Sequence, residues 1–132
     1  MSGGSVDNVG IEELLEEARS GLERLSPADA LAAAEAGAVL VDIRDSAQVA
    51  RDGSIPGAVA VPRNLLEWRC APDSEWRDER LSDPGRVVVL ICNEGYQSSL
   101  AAATLKRLGL ARATDVDGGF QAWRAAGLPV ER

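Results

Sequence analysis

The residue with the clearest chemical potential is Cys92, which closes the apolar run RVVVLIC. Asn93, Glu94, Gly95, Tyr96 and Gln97 follow it, and Ser98 and Ser99 then open a helical pattern. A loop of that length after a strand, with Gly95 free to take positive φ, can turn successive backbone N–H groups toward one centre, as an anion-binding nest does. The start of the next helix adds its dipole at the same point. A thiol held there is favoured as the thiolate, the nucleophilic form. The centre also suits a persulfide, whose anionic terminal sulfur would accept several N–H bonds. None of this needs an imidazole base, and the chain has no histidine. Ser-His-Asp and Cys-His catalysis and His-containing zinc sites are thereby excluded. Two cysteines cannot build a four-cysteine zinc or iron–sulfur site, so no cofactor is expected.

The other reactive or aromatic residues read more plainly. Cys70 has neither a following loop nor a helix start and reads as a structural thiol; a role in resolving a Cys92 intermediate would depend on their separation. Trp68, Trp76 and Trp123 read as packing residues, Trp123 beside Phe120 on the apolar face of the last helix. Tyr96, the one tyrosine, is expected to be exposed at the loop tip, where it would shape access to the thiol or stiffen the loop.

Holding such a loop in place calls for a parallel α/β layout, and the chain alternates accordingly. Apolar residues at Ile11, Leu14, Leu15, Ala18 and Leu22 follow a helical period, with acids in the first turn, and read as an amphipathic helix packed on the domain. Ser26 and Pro27 mark a second helix start, leading into an alanine-rich helix that stops at Gly37. Residues 38–43 read as a buried strand, 47–51 as a short helix, 58–61 as a short strand and 64–68 as a helical turn. The polar stretch 69–86, with Pro72 and Pro84, is the least regular part. Residues 86–92 form the strongest strand signal, continuous and β-branched as central parallel strands are. A helix over 98–108, a short strand over 113–116 and a helix over 119–126 complete the pattern. It implies a parallel sheet covered on both faces, with ligands beyond the carboxyl ends of its strands.

Composition narrows the partners. The chain has 132 residues, enough for one domain, and a net charge of −7. Its Arg residues and single Lys106 are scattered, so neither nucleic acid nor an anionic membrane is an expected partner. The longest apolar run, residues 87–92, is too short to cross a bilayer, and the first twenty residues lack the basic and apolar segments of a secretory signal. A cytoplasmic protein with reduced cysteines is expected. Residues 1–24 carry six acids against Arg19 and Arg24, a net −4, and residues 1–10 read as a mobile tail. They are set apart as a tail and acidic amphipathic helix, ahead of a domain over 25–132.

Three ordered motifs resemble the rhodanese-like (sulfurtransferase) superfamily. Leu40, Val41, Asp42, Ile43 and Arg44, with the downstream residues 53–58 (GSIPGA), resemble the signature VDVR…GHIPGA. Residues 89–99 (VLICNEGYQSS) resemble the active-site loop, and residues 117–123 (DGGFQAW) the closing motif. The match covers about residues 25–130. It implies a three-layer α/β/α rhodanese-like domain with a central parallel sheet, here with an extra N-terminal helix. It further implies that Cys92 is catalytic, accepting sulfane sulfur from thiosulfate or another persulfide and passing it to cyanide or a thiol. Asn93, Glu94, Gly95, Tyr96, Gln97 and Ser98 would bind the persulfide through their N–H groups, while Asp42 and Arg44 would be structural, Arg44 pairing with a nearby carboxylate and Asp42 bonding backbone amides.

Two departures stand out. Ser54 replaces the usual histidine at a structural position. Gln97 replaces an arginine found in many members, and Glu94 adds negative charge nearby. Charge-assisted bonds to a partly desolvated anion contribute about 1.5–3 kcal/mol, so thiosulfate use should be about ten- to hundredfold weaker, with a less charged persulfide preferred. The missing arginine also argues against a cysteine phosphatase, which grips phosphate with that side chain. The alternative to an enzyme is a non-catalytic or regulatory module docking on a partner, such as a protein sulfur donor or acceptor, through its acidic N-terminal helix.

Overall fold

The computed structural model describes residues 7–132. Part of the expected tail, residues 1–6, lies outside them. Among the described residues, six α-helices and four strands follow one another: α1 (Ile11–Ser20), α2 (Pro27–Glu35), β1 (Val39–Asp42), α3 (Ser46–Asp52), β2 (Val59–Ala60), α4 (Leu66–Cys70), β3 (Val88–Ile91), α5 (Gln97–Arg107), β4 (Ala113–Asp115) and α6 (Gly119–Ala125). A 3-10 turn, Arg63–Leu65, leads into α4. Local chemistry sets several boundaries. Ser26 Oγ accepts the Asp29 N–H at 3.1 Å, and Pro27 occupies the first turn, where its missing N–H costs nothing. Asp45 and Gln48 cap α3 reciprocally, Asp45 Oδ1 accepting the Gln48 N–H at 2.8 Å and Gln48 Oε1 the Asp45 N–H at 3.3 Å.

The strands form one parallel sheet in the order β2-β1-β3-β4. Alternation along β1 and β3 feeds two cores. Val39, Val41, Val88 and Leu90 face Leu66, Ala101, Ala102 and Leu105 of α4 and α5. Leu40, Val89 and Ile91 face Ala30 of α2 and Phe120 and Trp123 of α6. With helices on both faces, every residue of β1 and β3 is buried, which explains why these strands are continuously apolar up to Asp42. This is the expected three-layer α/β/α arrangement. Asp42 pairs with Ile91, so the central strands end side by side, and the loops after them define the site.

Two packing expectations fail. Trp68 and Trp76 are 57% and 64% exposed, because α4 buries Leu66 and Cys70 instead and Trp76 sits in the irregular segment beyond it. Trp123, by contrast, is fully buried and donates its indole N–H to the Pro129 carbonyl at 2.8 Å. On α1, only Leu15 of the apolar stripe is fully buried. Ala18 and Arg19 are half-buried, while Ile11 and Leu14 remain 67% and 41% exposed. The helix therefore lies on α5 mainly through its second half.

Candidate active site

Central strand β3 delivers Cys92 just past its carboxyl end, and the chain then turns through Asn93–Tyr96 into α5. Two contacts fix where that turn starts. The Phe120 and Gln121 N–H groups donate to the carbonyls of Cys92 and Asn93 at 2.8 and 3.0 Å, and Gln121 Nε2 donates to Asn93 Oδ1 at 2.9 Å. This approach requires Gly119: a Cβ there would lie 2.5 Å from the Cys92 carbonyl oxygen. Gly95 has φ +88°, a left-handed value disfavoured for other residues, and a Cβ on it would meet Gly118 N at 2.8 Å.

The result is a buried sulfur with donors around it. Cys92 Sγ accepts the Gly95 N–H at 3.2 Å and the Ser98 N–H at 3.4 Å. The thiol donates to Ser98 Oγ at 3.3 Å, and that hydroxyl donates to Asp115 Oδ2 at 2.7 Å. The amides of Glu94, Tyr96 and Gln97 donate to no acceptor among the described residues, as at the open end of a helix. Of the six loop residues expected to offer N–H groups, Gly95 and Ser98 thus reach the sulfur itself. Asn93, Glu94, Tyr96 and Gln97 instead line the mouth above it. Cys92 opens on a cavity of about 740 Å³ that they share with Ile43, Arg44, Asp45, Gln48, Pro62, Arg63 and Asn64. Tyr96 is 57% exposed at the tip, as its position implied. Arg63 is the cation of this cavity with solvent access, and it is paired with Glu67 at 2.7 Å.

Asp42 and Arg44 serve the frame. Arg44 Nη2 donates to Asp42 Oδ2 at 2.7 Å and to the Gly53 carbonyl at 2.9 Å, and its guanidinium lies 3.8 Å from the centroid of Phe120. Both residues are buried, so the pair ties β1 to the turn after α3 and supports α6. Cys70 is remote in character: burial first, then the charges of Asp78 and Glu67, push its thiol up to about 12.

A second group of residues was not evident in the sequence. Asp115, fully buried at the end of β4, accepts from Ser98 Oγ, from Ser99 Oγ at 2.9 Å and from Arg24 Nε at 2.9 Å. Arg19 and Arg24 each donate through Nη2 to the Gly95 carbonyl at 2.9 Å; Ser99 Oγ also lies 3.1 Å from that oxygen, but its one hydrogen serves the shorter contact to Asp115. Burial works against the Arg24 charge, but the hydrogen bond and charge of Asp115 outweigh it and hold the guanidinium above its ordinary value. The one sequence signal for this group was an acid inside a buried strand, which demands partners.

Comparison with known proteins agrees with the motifs. The model of the rhodanese-like domain matches residues 26–126. The thiosulfate sulfurtransferase GlpE of Pseudomonas savastanoi pv. phaseolicola is 36% identical over 103 residues, 78% of this chain and 88% of that protein. A sulfurtransferase of Allochromatium vinosum is 36% identical over 92 residues, 70% of this chain and 77% of that one. Among solved structures, a Rhodopseudomonas palustris protein of unknown function, described as a possible tyrosine phosphatase, is 38% identical with a TM-score of 0.85, covering 98% of this chain and 100% of that chain. On the extent of the domain match and the identity of these relatives, the chain belongs to the rhodanese-like domain family.

Proposed function

We propose that this protein is a cytoplasmic sulfurtransferase that works through a persulfide on Cys92. The carrying observation is the Cys92 sulfur at the floor of an open cavity, held by the N–H groups of Gly95 and Ser98. The naming of its relatives as sulfurtransferases agrees with this reading. In the first half-reaction the Cys92 thiolate attacks the outer sulfur of the donor, forming an S–S bond to Cys92 as the donor's own bond to that sulfur breaks. The departing sulfite or thiolate takes the electron pair. The new terminal sulfur carries the negative charge, and the free amides of Glu94, Tyr96 and Gln97 are the donors available to it. In the second half-reaction cyanide or a thiolate attacks that sulfur and releases the Cys92 thiolate. Ser98 Oγ, which accepts from the thiol, can turn its own hydrogen onto an anionic sulfur, because Asp115 keeps Ser99 and Arg24.

The donor class follows from charge. Gln97 and Glu94 at the cavity mouth supply no cation, and Arg63 in the same cavity is engaged by Glu67, so a persulfide of lower charge should be used better than thiosulfate. The test is thiocyanate formation with thiosulfate and with an alkyl persulfide as donors. Turnover with the wild type, favouring the persulfide, and none with Cys92→Ser supports the reading; equal turnover in Cys92→Ser overturns it. A second reading, a docking module, rests on Ile11 and Leu14 exposed on the acidic α1. It predicts no turnover with either donor.

A further inference from the structure

The two arginines beneath the loop come from before residue 26, where the family match begins. Arg19 lies in the last turn of α1 and Arg24 in the link that follows, and both hold the same oxygen, the Gly95 carbonyl. A trans peptide carries its C=O and N–H on opposite sides. Anchoring the Gly95 carbonyl from below therefore directs the N–H of Tyr96, in the same peptide unit, away from the arginines and toward the cavity side. Cationic donors on the carbonyl also polarise that N–H, since linked hydrogen bonds strengthen one another in a low-dielectric setting. Arg19 makes two further contacts: its guanidinium lies 5.7 Å from the Tyr96 ring centroid, and its Nε donates to Ser99 Oγ at 3.0 Å. It forms no ion pair among the described residues, so its charge is not cancelled locally as that of Arg24 is by Asp115 and Asp117.

We propose that the segment before the rhodanese-like domain is part of the active site. Arg19 and Arg24 are positioning residues that turn the Tyr96 N–H of the Gly95–Tyr96 peptide toward the cavity, and the unpaired charge of Arg19 raises the positive potential behind it without placing a cation at the mouth, where Gln97 stands. Arg24 acts by a second route as well, holding Asp115 and through it the Ser98 hydroxyl at the Cys92 sulfur. The proposal deepens the Cys92 reading, but its test does not depend on sulfur transfer.

The experiment alkylates Cys92 in the full chain with neutral iodoacetamide and anionic iodoacetate, and compares their rate constants. Altered packing alone would change both rates together, whereas lost positive potential lowers iodoacetate selectively. In Arg19→Gln the iodoacetate-to-iodoacetamide ratio should fall about threefold or more, the size expected for one nearby, partly screened charge. Arg19→Lys should restore most of the ratio, and Arg24→Gln should lower the overall rate as well. Should Arg24→Gln fail to fold, Arg19→Gln decides alone. An unchanged ratio in folded Arg19→Gln, or Arg19→Lys no better than Arg19→Gln, overturns the proposal. A ratio that responds while no thiocyanate forms with any donor would leave this proposal standing and sink the sulfurtransferase reading.

Discussion

Replacing Gln97 with arginine tests how far charge at the cavity mouth selects the donor. Gln97 is the first residue of α5, exposed, and lines the cavity beside Cys92 and Glu94. A unit charge about 4 Å from a dianion is worth about 2 kcal/mol in bulk water. Exposed pairs retain only about 0.2–1 kcal/mol after screening and side-chain ordering. The exposure of Gln97 therefore reduces the ten- to hundredfold effect that a partly desolvated arginine would give. For Gln97→Arg we expect kcat/KM with thiosulfate to rise about three- to fivefold, that is, by at most ~1 kcal/mol. With an alkyl persulfide the change should be under about twofold, since less charge is at stake. The assay is thiocyanate production at low and high salt, with the thiosulfate gain shrinking as ionic strength rises. An unchanged or lower thiosulfate value, or an equal gain with both donors, would refute the reasoning.

Three further outcomes follow from the same geometry. In Gly95→Ala, the left-handed φ of +88° and the 2.8 Å approach to Gly118 N should cost about 1–3 kcal/mol of stability in urea unfolding and withdraw an N–H from the sulfur, lowering transfer more than about tenfold. In Asp42→Ala, the buried Arg44 loses its carboxylate, and unfolding should be easier by about 3–5 kcal/mol with no direct change in the loop. Cys70, with its thiol pushed up to about 12, stays protonated and unreactive at every pH below that range, so at neutral pH one equivalent of iodoacetamide should modify Cys92 alone; peptide mapping reads this, and equal labelling of Cys70 would contradict it.

The site was legible in the sequence where its chemistry is local. The apolar run into Cys92, Gly95 in a short loop and a helix start are consecutive in the chain, and they become a strand end, a left-handed turn and amides facing one sulfur. The motif implied that Arg44 would meet a carboxylate, and that carboxylate is Asp42, two residues before it. The bracing of the loop was not legible, because Arg24 and Asp115 are separated by ninety-one positions and meet only once β4 lies beside β3. Asp115 could have prompted the search for a partner, but nothing local singled out Arg19 or Arg24 from the scattered arginines. The helical period at Ile11 and Leu14 suggested burial that did not follow, since a period gives a face without saying how much of it a neighbour covers. Trp68 and Trp76 show the same limit for residue type.

The central claim, that Cys92 carries the transferred sulfur, is tested most directly by intact-protein mass spectrometry after exposure to a sulfane donor. One added sulfur should appear on the wild-type chain, map to Cys92, and leave on treatment with cyanide, while Cys92→Ala takes up none. No added sulfur on the wild type, or equal uptake by Cys92→Ala, would contradict the account.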